Sequence, residues 1–459
     1  MKINIKKLNK VMLIASVLFG FSKMSLAGDV ESGSMPVTSD LKVKLSGYGH
    51  FQGGYRNQNH LAGNDKNVSA NRKSFAFFND AALFTDISNQ VNDITYGGKI
   101  VLVPTAKRKG SATYNGSHIY LDSSYGRVEA GSPMDAASNM LIDSSAIASA
   151  TGGDWDRYAK FDSTDLKQGY DFGPSFATFG EFFLDNKLVS AVETRSYSNE
   201  PGRRVSYYTP KFEFGQGAKI QMGISYTPDS SNTGADDPTK NSTRVDIRKI
   251  GRNGVATNEY FKLDTSVKDA ISGGVVLEQN ISDGVDLKLA LTGEYGKASK
   301  IEKFRNNDLS NSDPKKADPD KQEPITLNNK KLKDLRTYNI GAILNAGNFS
   351  YAASFGSLGK SLTSPEFHRT GRETTYYTGG VAYKQGPFTT SLTYFRSDQY
   401  KNTVDCVTIG TDYKLAPGFK PYAEISGFSL KGKPEYDNGN LKKKKTRGTV
   451  ALIGAKLSL

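Results

Sequence analysis

One cysteine, Cys406, stands in a chain of 459 residues, so no intrachain disulfide framework can hold this protein together. Histidine is almost as scarce: His50, His60, His118 and His368 are dispersed, without the spacing of a zinc site. No Gly-x-Ser-x-Gly nucleophile elbow occurs. The one phosphate-loop-like triplet, Gly359-Lys360-Ser361, lacks its upstream glycine. The reading therefore contains no enzyme activity, no metal and no cofactor. Hydrophobic residues make up 37% of the chain, and mean hydropathy is −0.50. Ordinary globular domains carry roughly 45–50% apolar residues.

Long apolar runs are missing too, apart from the start. The opening stretch has a basic head (Lys2, Lys6, Lys7, Lys10), an apolar segment over Val11–Phe21 and small residues at Ser25-Leu26-Ala27. That is the layout of a signal peptide over 1–27, and its apolar part is too short for the ~20 residues of a spanning helix. The expected mature chain opens with a short periplasmic segment, 28–40. Formal net charge is +13, and five lysines lie within 1–27, which leaves +8 for the exported part. Its cations are scattered among acids, so nucleic acid is not an expected partner.

Aromatics are plentiful, with 24 Tyr and 24 Phe, which argues against disorder. Apolar and polar residues alternate strictly. In "LKVKLSGYGHFQGGYR", residues 41–56, Leu41, Val43, Leu45, Phe51 and Tyr55 share one parity. Lys42, Lys44, His50, Gln52 and Arg56 share the other. The same period of two recurs at 220–227, 285–295, 338–344 and 349–355, and marks strands with one greasy and one wet face. Connections alternate as well. Tight turns at 88–93, 123–126, 281–284, 346–348, 385–387 and 415–418 are separated by long polar stretches at 105–115, 133–202, 228–267, 299–334, 359–373 and 431–446.

Short turns at one end and long loops at the other belong to transmembrane β-barrels. The fold expected over 41–459 is all-β: an antiparallel up-and-down β-barrel of about 16 strands, or 18 if 175–196 adds a hairpin. Such a barrel pairs every backbone group within lipid and leaves no edge. Tyr55, Tyr226, Tyr295, Tyr383, Tyr413 and Phe419 lie near strand ends, where aromatic girdles belong.

Two stretches carry a family resemblance. "RRVSYYTPKFEFGQGAKIQMGISYTPDS", 203–230, resembles the Tyr-x-x-Pro-x-Phe hairpin of general porins from Gram-negative outer membranes. "IYLDSSYGRVEAGSPMDAA", 119–137, is similar to their approach to a constriction loop. The chain departs from the family at its end, Leu459 in place of phenylalanine, and at Asn79 and Asp80, where arginines are expected. The resemblance implies an outer-membrane homotrimer in contact with lipid and lipopolysaccharide. It also implies passive diffusion of small hydrophilic solutes and ions, with 133–202 as a long loop folded into the lumen. That loop carries a net −6 and the rest of the exported chain +14. Expected site residues are the loop acids Asp135, Asp143, Asp154 and Asp156 against the basic wall residues Lys42, Lys44, Lys99 and Arg127. A substrate-specific channel for sugar or phosphate, and a surface adhesin acting through its loops, are the alternatives.

Overall fold

A computed structural model describes residues 41–59, 74–104, 112–159, 202–215, 217–230, 242–250, 256–264, 267–298, 301–305, 323–325, 333–362, 373–399, 402–431, 435–437, 440–442 and 445–459. The expected signal peptide, the 28–40 segment and the possible 175–196 hairpin lie outside them. Among the described residues no helix is long and apolar enough to cross a membrane, so any crossing falls to strands.

The strands form a closed antiparallel barrel. In chain order they are β1 Lys42–Gln58, β2 Phe75–Val91, β3 Ile94–Pro104, β4 Ala112–Ser123, β5 Gly126–Gly131, β6 Arg204–Tyr208, β7 Ala218–Asp229 and β8 Val267–Ser282. Then follow β9 Val285–Ala298, β10 Leu335–Ala346, β11 Phe349–Gly359, β12 Thr374–Gln385, β13 Phe388–Gln399, β14 Asn402–Tyr413, β15 Phe419–Lys431 and β16 Lys445–Ser458. Each pairs with its successor, and β16 returns to β1 with Leu457 opposite Gly49. The seam is extended at the carboxyl end, where Gly47 and Leu459 exchange both backbone hydrogen bonds. The sheet holds seventeen segments, but β6 and its continuation Phe212–Phe214 pair successively with β7. Pro210, which has no N–H to give the ladder, lies in the break between them. Counting that pair once gives sixteen strands, and the 16-or-18 alternative resolves to sixteen among the described residues.

The alternation decides which face is which. On β1, Val43, Leu45 and Phe51 are more than half exposed, whereas Gln52 and Arg56 are 1% and 7% exposed. A soluble protein would do the reverse. Apolar outside and polar inside is the arrangement of a barrel in hydrocarbon around water. The barrel strands other than β5 and the broken β6 run 11 to 17 residues, as long as or longer than the 9–11 or so that a tilted strand needs to cross. Aromatics ring both ends of the outer face. Phe349 stacks near Tyr383 and Phe388 near Tyr413 at the turn end, while Tyr226, Tyr295, Tyr338 and Tyr377 lie toward the loop end.

The tight turns close on glycines at positive φ. Gly284, Gly347 and Gly386 have φ of 76°, 58° and 56°, with open space where a Cβ would stand, so backbone handedness and not crowding selects glycine. The opposite end departs from a reading of plain loops. Ser242–Ile250, Ala256–Asp264, Ile301–Arg305 and Glu323–Ile325 form a separate four-stranded antiparallel sheet, drawn from two of the long connections. A second small hairpin pairs Glu435–Asp437 with Asn440–Lys442.

Candidate functional site

The polar face of the strands meets one segment above all, the chain leaving β5. Gly131, at φ 130°, sits so close to β4 that a Cβ would stand 2.5 Å from the Ser117 carbonyl oxygen. The chain then forms a one-turn helix, α1, Ala136–Met140, and two short helical turns at Ser144–Ala146 and Asp154–Arg157. A buried irregular backbone must find partners for its N–H groups. Here the inner rows of the strands supply them.

The contacts run around the barrel in strand order. The Asn139 amide donates to the Tyr208 hydroxyl of β6 at 2.6 Å, and the Ala136 N–H to Ser225 Oγ of β7 at 2.8 Å. Met140 packs near Val276 of β8 and Ala290 of β9. On β10 the Ile142 carbonyl rests where Gly341 would carry a Cβ, 2.1 Å away, so only glycine admits it. The Ser144 N–H donates to Thr378 Oγ1 of β12 at 3.0 Å, and the Ser149 N–H to Ser391 Oγ of β13 at 2.8 Å. Glu424 of β15 is 2% exposed and accepts from the N–H groups of Thr151 and Gly152 at 2.9 and 3.0 Å. Lys456 of β16 donates to the Ala150 carbonyl. Trp155 stacks on Phe428, ring centroids 4.8 Å apart. Finally Arg56 of β1 donates to the Tyr158 carbonyl at 2.6 Å, and Arg157 to Asp80 of β2 at 3.0 Å. Burial, with Asp154 nearby, pushes the Tyr158 phenol up to about 12, so it stays neutral beneath this segment. Residues 132–159 are thus a strap around the inner wall from β6 to β2.

The expected site residues divide. Asp135 is 1% exposed, caps α1 through the Ser138 N–H at 3.0 Å and lies 3.5 Å from the buried Arg204. Asp143 is buried and caps the next turn through the Ser145 N–H at 2.7 Å. Asp154 pairs with Arg157 at 3.5 Å, and Asp156 lies in the same turn. On the wall, Lys99 lies over the Phe84 ring and Arg127 over Tyr120, 4.1 Å from its centroid. Arg127 also meets Glu129 at 2.7 Å and Asp122 at 3.6 Å. The structure brings Lys99 and Arg127 onto one stretch of wall, β3–β5, with His118 beside Glu129. Lys42 and Lys44 lie two strands away on β1, in register with Ser88 and Asp86, and the row of Lys44 continues through Asp86 to Lys99. Sequence reading gave no role to Glu424, Lys456, Arg56 or Asp80. Each is a polar residue on the inner parity of its strand, which was the available signal. A chain of contacts joins them to His50, which meets Tyr422 at 2.6 Å and Asp80 at 3.3 Å.

A closed sixteen-stranded barrel, apolar outside and strapped within, defines an outer-membrane β-barrel protein of the channel-forming kind. The family model for Gram-negative porins matches residues 15–433, and the chain belongs to that family. It is 42% identical over 470 residues to an uncharacterized protein of Rickettsia felis, covering 98% of this chain and all of that one. It is 43% identical over 465 residues to another from Rickettsia bellii, covering 98% and 99%. Among solved structures it is similar to an anion-selective porin from Comamonas acidovorans. That match has a TM-score of 0.53 and 14% identity, and covers 92% of this chain and all of the other, a likeness of fold.

Proposed function

We propose that this porin is a passive diffusion channel for small hydrophilic solutes and ions. The route passes between the strap and the wall of β3–β5. The observation that carries this reading is the strap itself, hydrogen-bonded to inner residues from Tyr208 to Asp80 and, among the described residues, bonded to β4 at its root. Asp154, Asp156 and Arg157 form the strap's charged edge, and Lys99 and Arg127 the facing wall. Asp135 and Asp143 act as the caps that fix the strap's shape, and Lys42 and Lys44 line the wall two strands away on β1. Charges ~8 Å apart interact by roughly 2 kcal/mol at an effective dielectric near 20 and about 0.5 kcal/mol in bulk water. The eyelet therefore biases ions several-fold and orients dipoles, without acting as an absolute filter. Assembly as a homotrimer is part of the same proposal. The full chain in a planar bilayer should give stepwise, near-ohmic conductance with steps in groups of three. Folded protein that inserts without conducting would overturn the channel reading, and isolated single steps would overturn the trimer.

A further inference from the structure

The strap's far end meets the wall around one histidine. His50 lies on the inner parity of β1, in register with Asp80 of β2 on one side and Lys456 of β16 on the other, and its side chain is 10% exposed. Its Nδ1 stands 3.3 Å from Asp80 Oδ1 and its Nε2 2.6 Å from the Tyr422 hydroxyl of β15. The second Asp80 oxygen accepts from Arg157 of the strap at 3.0 Å, and Arg157 in turn lies 3.5 Å from Asp154. Lys456 reaches over the Tyr422 ring and donates to the strap at the Ala150 carbonyl. The charges acting on the ring thus come from three elements: Asp80 on β2, Lys456 on β16, and Asp154 and Arg157 on the strap. On β1 itself, Tyr48 lies within electrostatic reach of Asp80 and Arg157 as well. Asp80 stands where arginine is expected from the family resemblance, so here the wall gives the acid and the strap the cation.

Counting protons gives this contact two states. Tyr422 has a single hydroxyl proton, which it donates to Gln52 Oε1 at 2.8 Å. Its oxygen is then left to accept from His50 Nε2, while the Asp80 carboxylate accepts from Nδ1, so the ring donates at both nitrogens and is an imidazolium. A neutral ring satisfies the same contacts once the Gln52 amide turns over. Gln52 Nε2 then donates to Tyr422, Tyr422 donates to His50 Nε2, and Nδ1 alone carries a ring proton. We infer that His50 is a specificity-determining residue of the channel, whose charge sets the ion preference where the strap ends. Imidazole changes charge between about pH 5 and 8, above the range of ordinary carboxylates. The proton gained as pH falls adds one positive charge beside Arg157 and Asp80, whose side chains are 39% and 28% exposed. One unit charge ~8 Å from a passing ion shifts its preference by about twofold in water, and by more where the dielectric is lower. This inference rests on the channel reading above, and its test keeps the two apart.

The test is the reversal potential of the full chain in a planar bilayer across a potassium chloride gradient, read at about pH 7.5 and about pH 5. His118→Gln serves as the background, because His118 on β4 is the other histidine among the described residues. In that background acidification should move the permeability ratio toward chloride by about twofold or more. His50→Gln added to it should abolish the move, and His50→Lys, a fixed cation, should hold the acidic value at both pH values. Folding of each variant is read independently by heat-modifiable electrophoretic mobility. NMR of isotope-labelled imidazole nitrogens in the detergent-folded chain should show His50 with both ring nitrogens protonated at the lower pH and one at the higher. A ratio unmoved by acid while His50 is intact would overturn the inference. So would a move that survives His50→Gln, or a ring that keeps one protonation state throughout. Folded protein that carries no current at either pH would defeat the channel reading itself, and the specificity with it.

Discussion

The inner wall of this barrel has two kinds of surface. Under much of the strap, between β7 and β15, small residues recur on the inner rows: Ser225, Ser272, Thr292, Thr378, Ser391 and Ser426 are buried, and Gly341 admits a carbonyl. Where the strap is absent, on β3–β5, the inner rows carry Lys99, His118, Tyr120, Arg127 and Glu129, crossed by ion pairs and a cation–π contact. Small hydroxyls suit a wall that must approach a backbone closely and supply its hydrogen bonds. Long charged side chains suit a wall that faces water. Small hydroxyls thus recur where the wall supplies the strap's hydrogen bonds, and a charged cluster marks the wall along which solute is proposed to pass.

The comparison breaks most strongly at the strap's anchor. Glu424→Ala strips two buried N–H groups and the Thr151 hydroxyl of their acceptor. Each unsatisfied group costs about 1–3 kcal/mol, more than such a short segment can absorb in place. The barrel should still fold, because its ladder is untouched, and the strap should leave the wall. Single-channel conductance should then rise and become noisy, and swelling of loaded liposomes should admit larger sugars. Gly341→Val attacks the same strap at β10 by crowding the Ile142 carbonyl, and should move both readouts the same way. Unchanged conductance in both variants would mean that the strap does not limit the passage.

The open wall should respond to charge and not to size. Lys99→Glu with Arg127→Glu removes two cations from the stretch that faces solvent and adds two acids. Conductance should change less than in the anchor variants, whereas the reversal potential across a salt gradient should move toward cations. The same reversal at Lys42 and Lys44, two strands away on β1, should move it less, because screening weakens their reach to the Arg127 cluster. Equal shifts from the two pairs would place the selective region outside the β3–β5 wall.

Much of this fold was open to the eye in the sequence, because a barrel strand is a local pattern. Period-two alternation, the glycine turns and the contrast of short and long connections all lie within a few residues of one another. The strap's contacts were not legible for the opposite reason. Thr151 and Glu424 are 273 residues apart, and nothing local to "PYAEISGF" says that its buried acid serves a loop and not the pore. Asp135 and Asp143 show a second limit. An acid ahead of small residues reads equally as a pore charge or as a helix cap, and only the folded chain shows both carboxylates capping helical turns. The extramembrane sheet was hidden because strands such as Ser242–Ile250 carry charge throughout and lie in stretches that otherwise read as polar connections.

The smallest effect belongs to the turn end, which lies far from both surfaces. Gly386 adopts φ 56° with nothing near its missing Cβ, so Gly386→Ala tests backbone handedness alone. A non-glycine residue in that conformation costs roughly 1–2 kcal/mol, set against a barrel whose strands are paired along their whole length. The midpoint of heat-modifiable unfolding should fall by a few degrees at most, with conductance and reversal potential unchanged. Gly427→Ala, an outer-row glycine of β15 with equally open space and no positive φ, should shift nothing. A matching loss in both would mean that the two substitutions act through something other than the turn, such as packing against lipid, and the handedness argument for the glycine turns would fall.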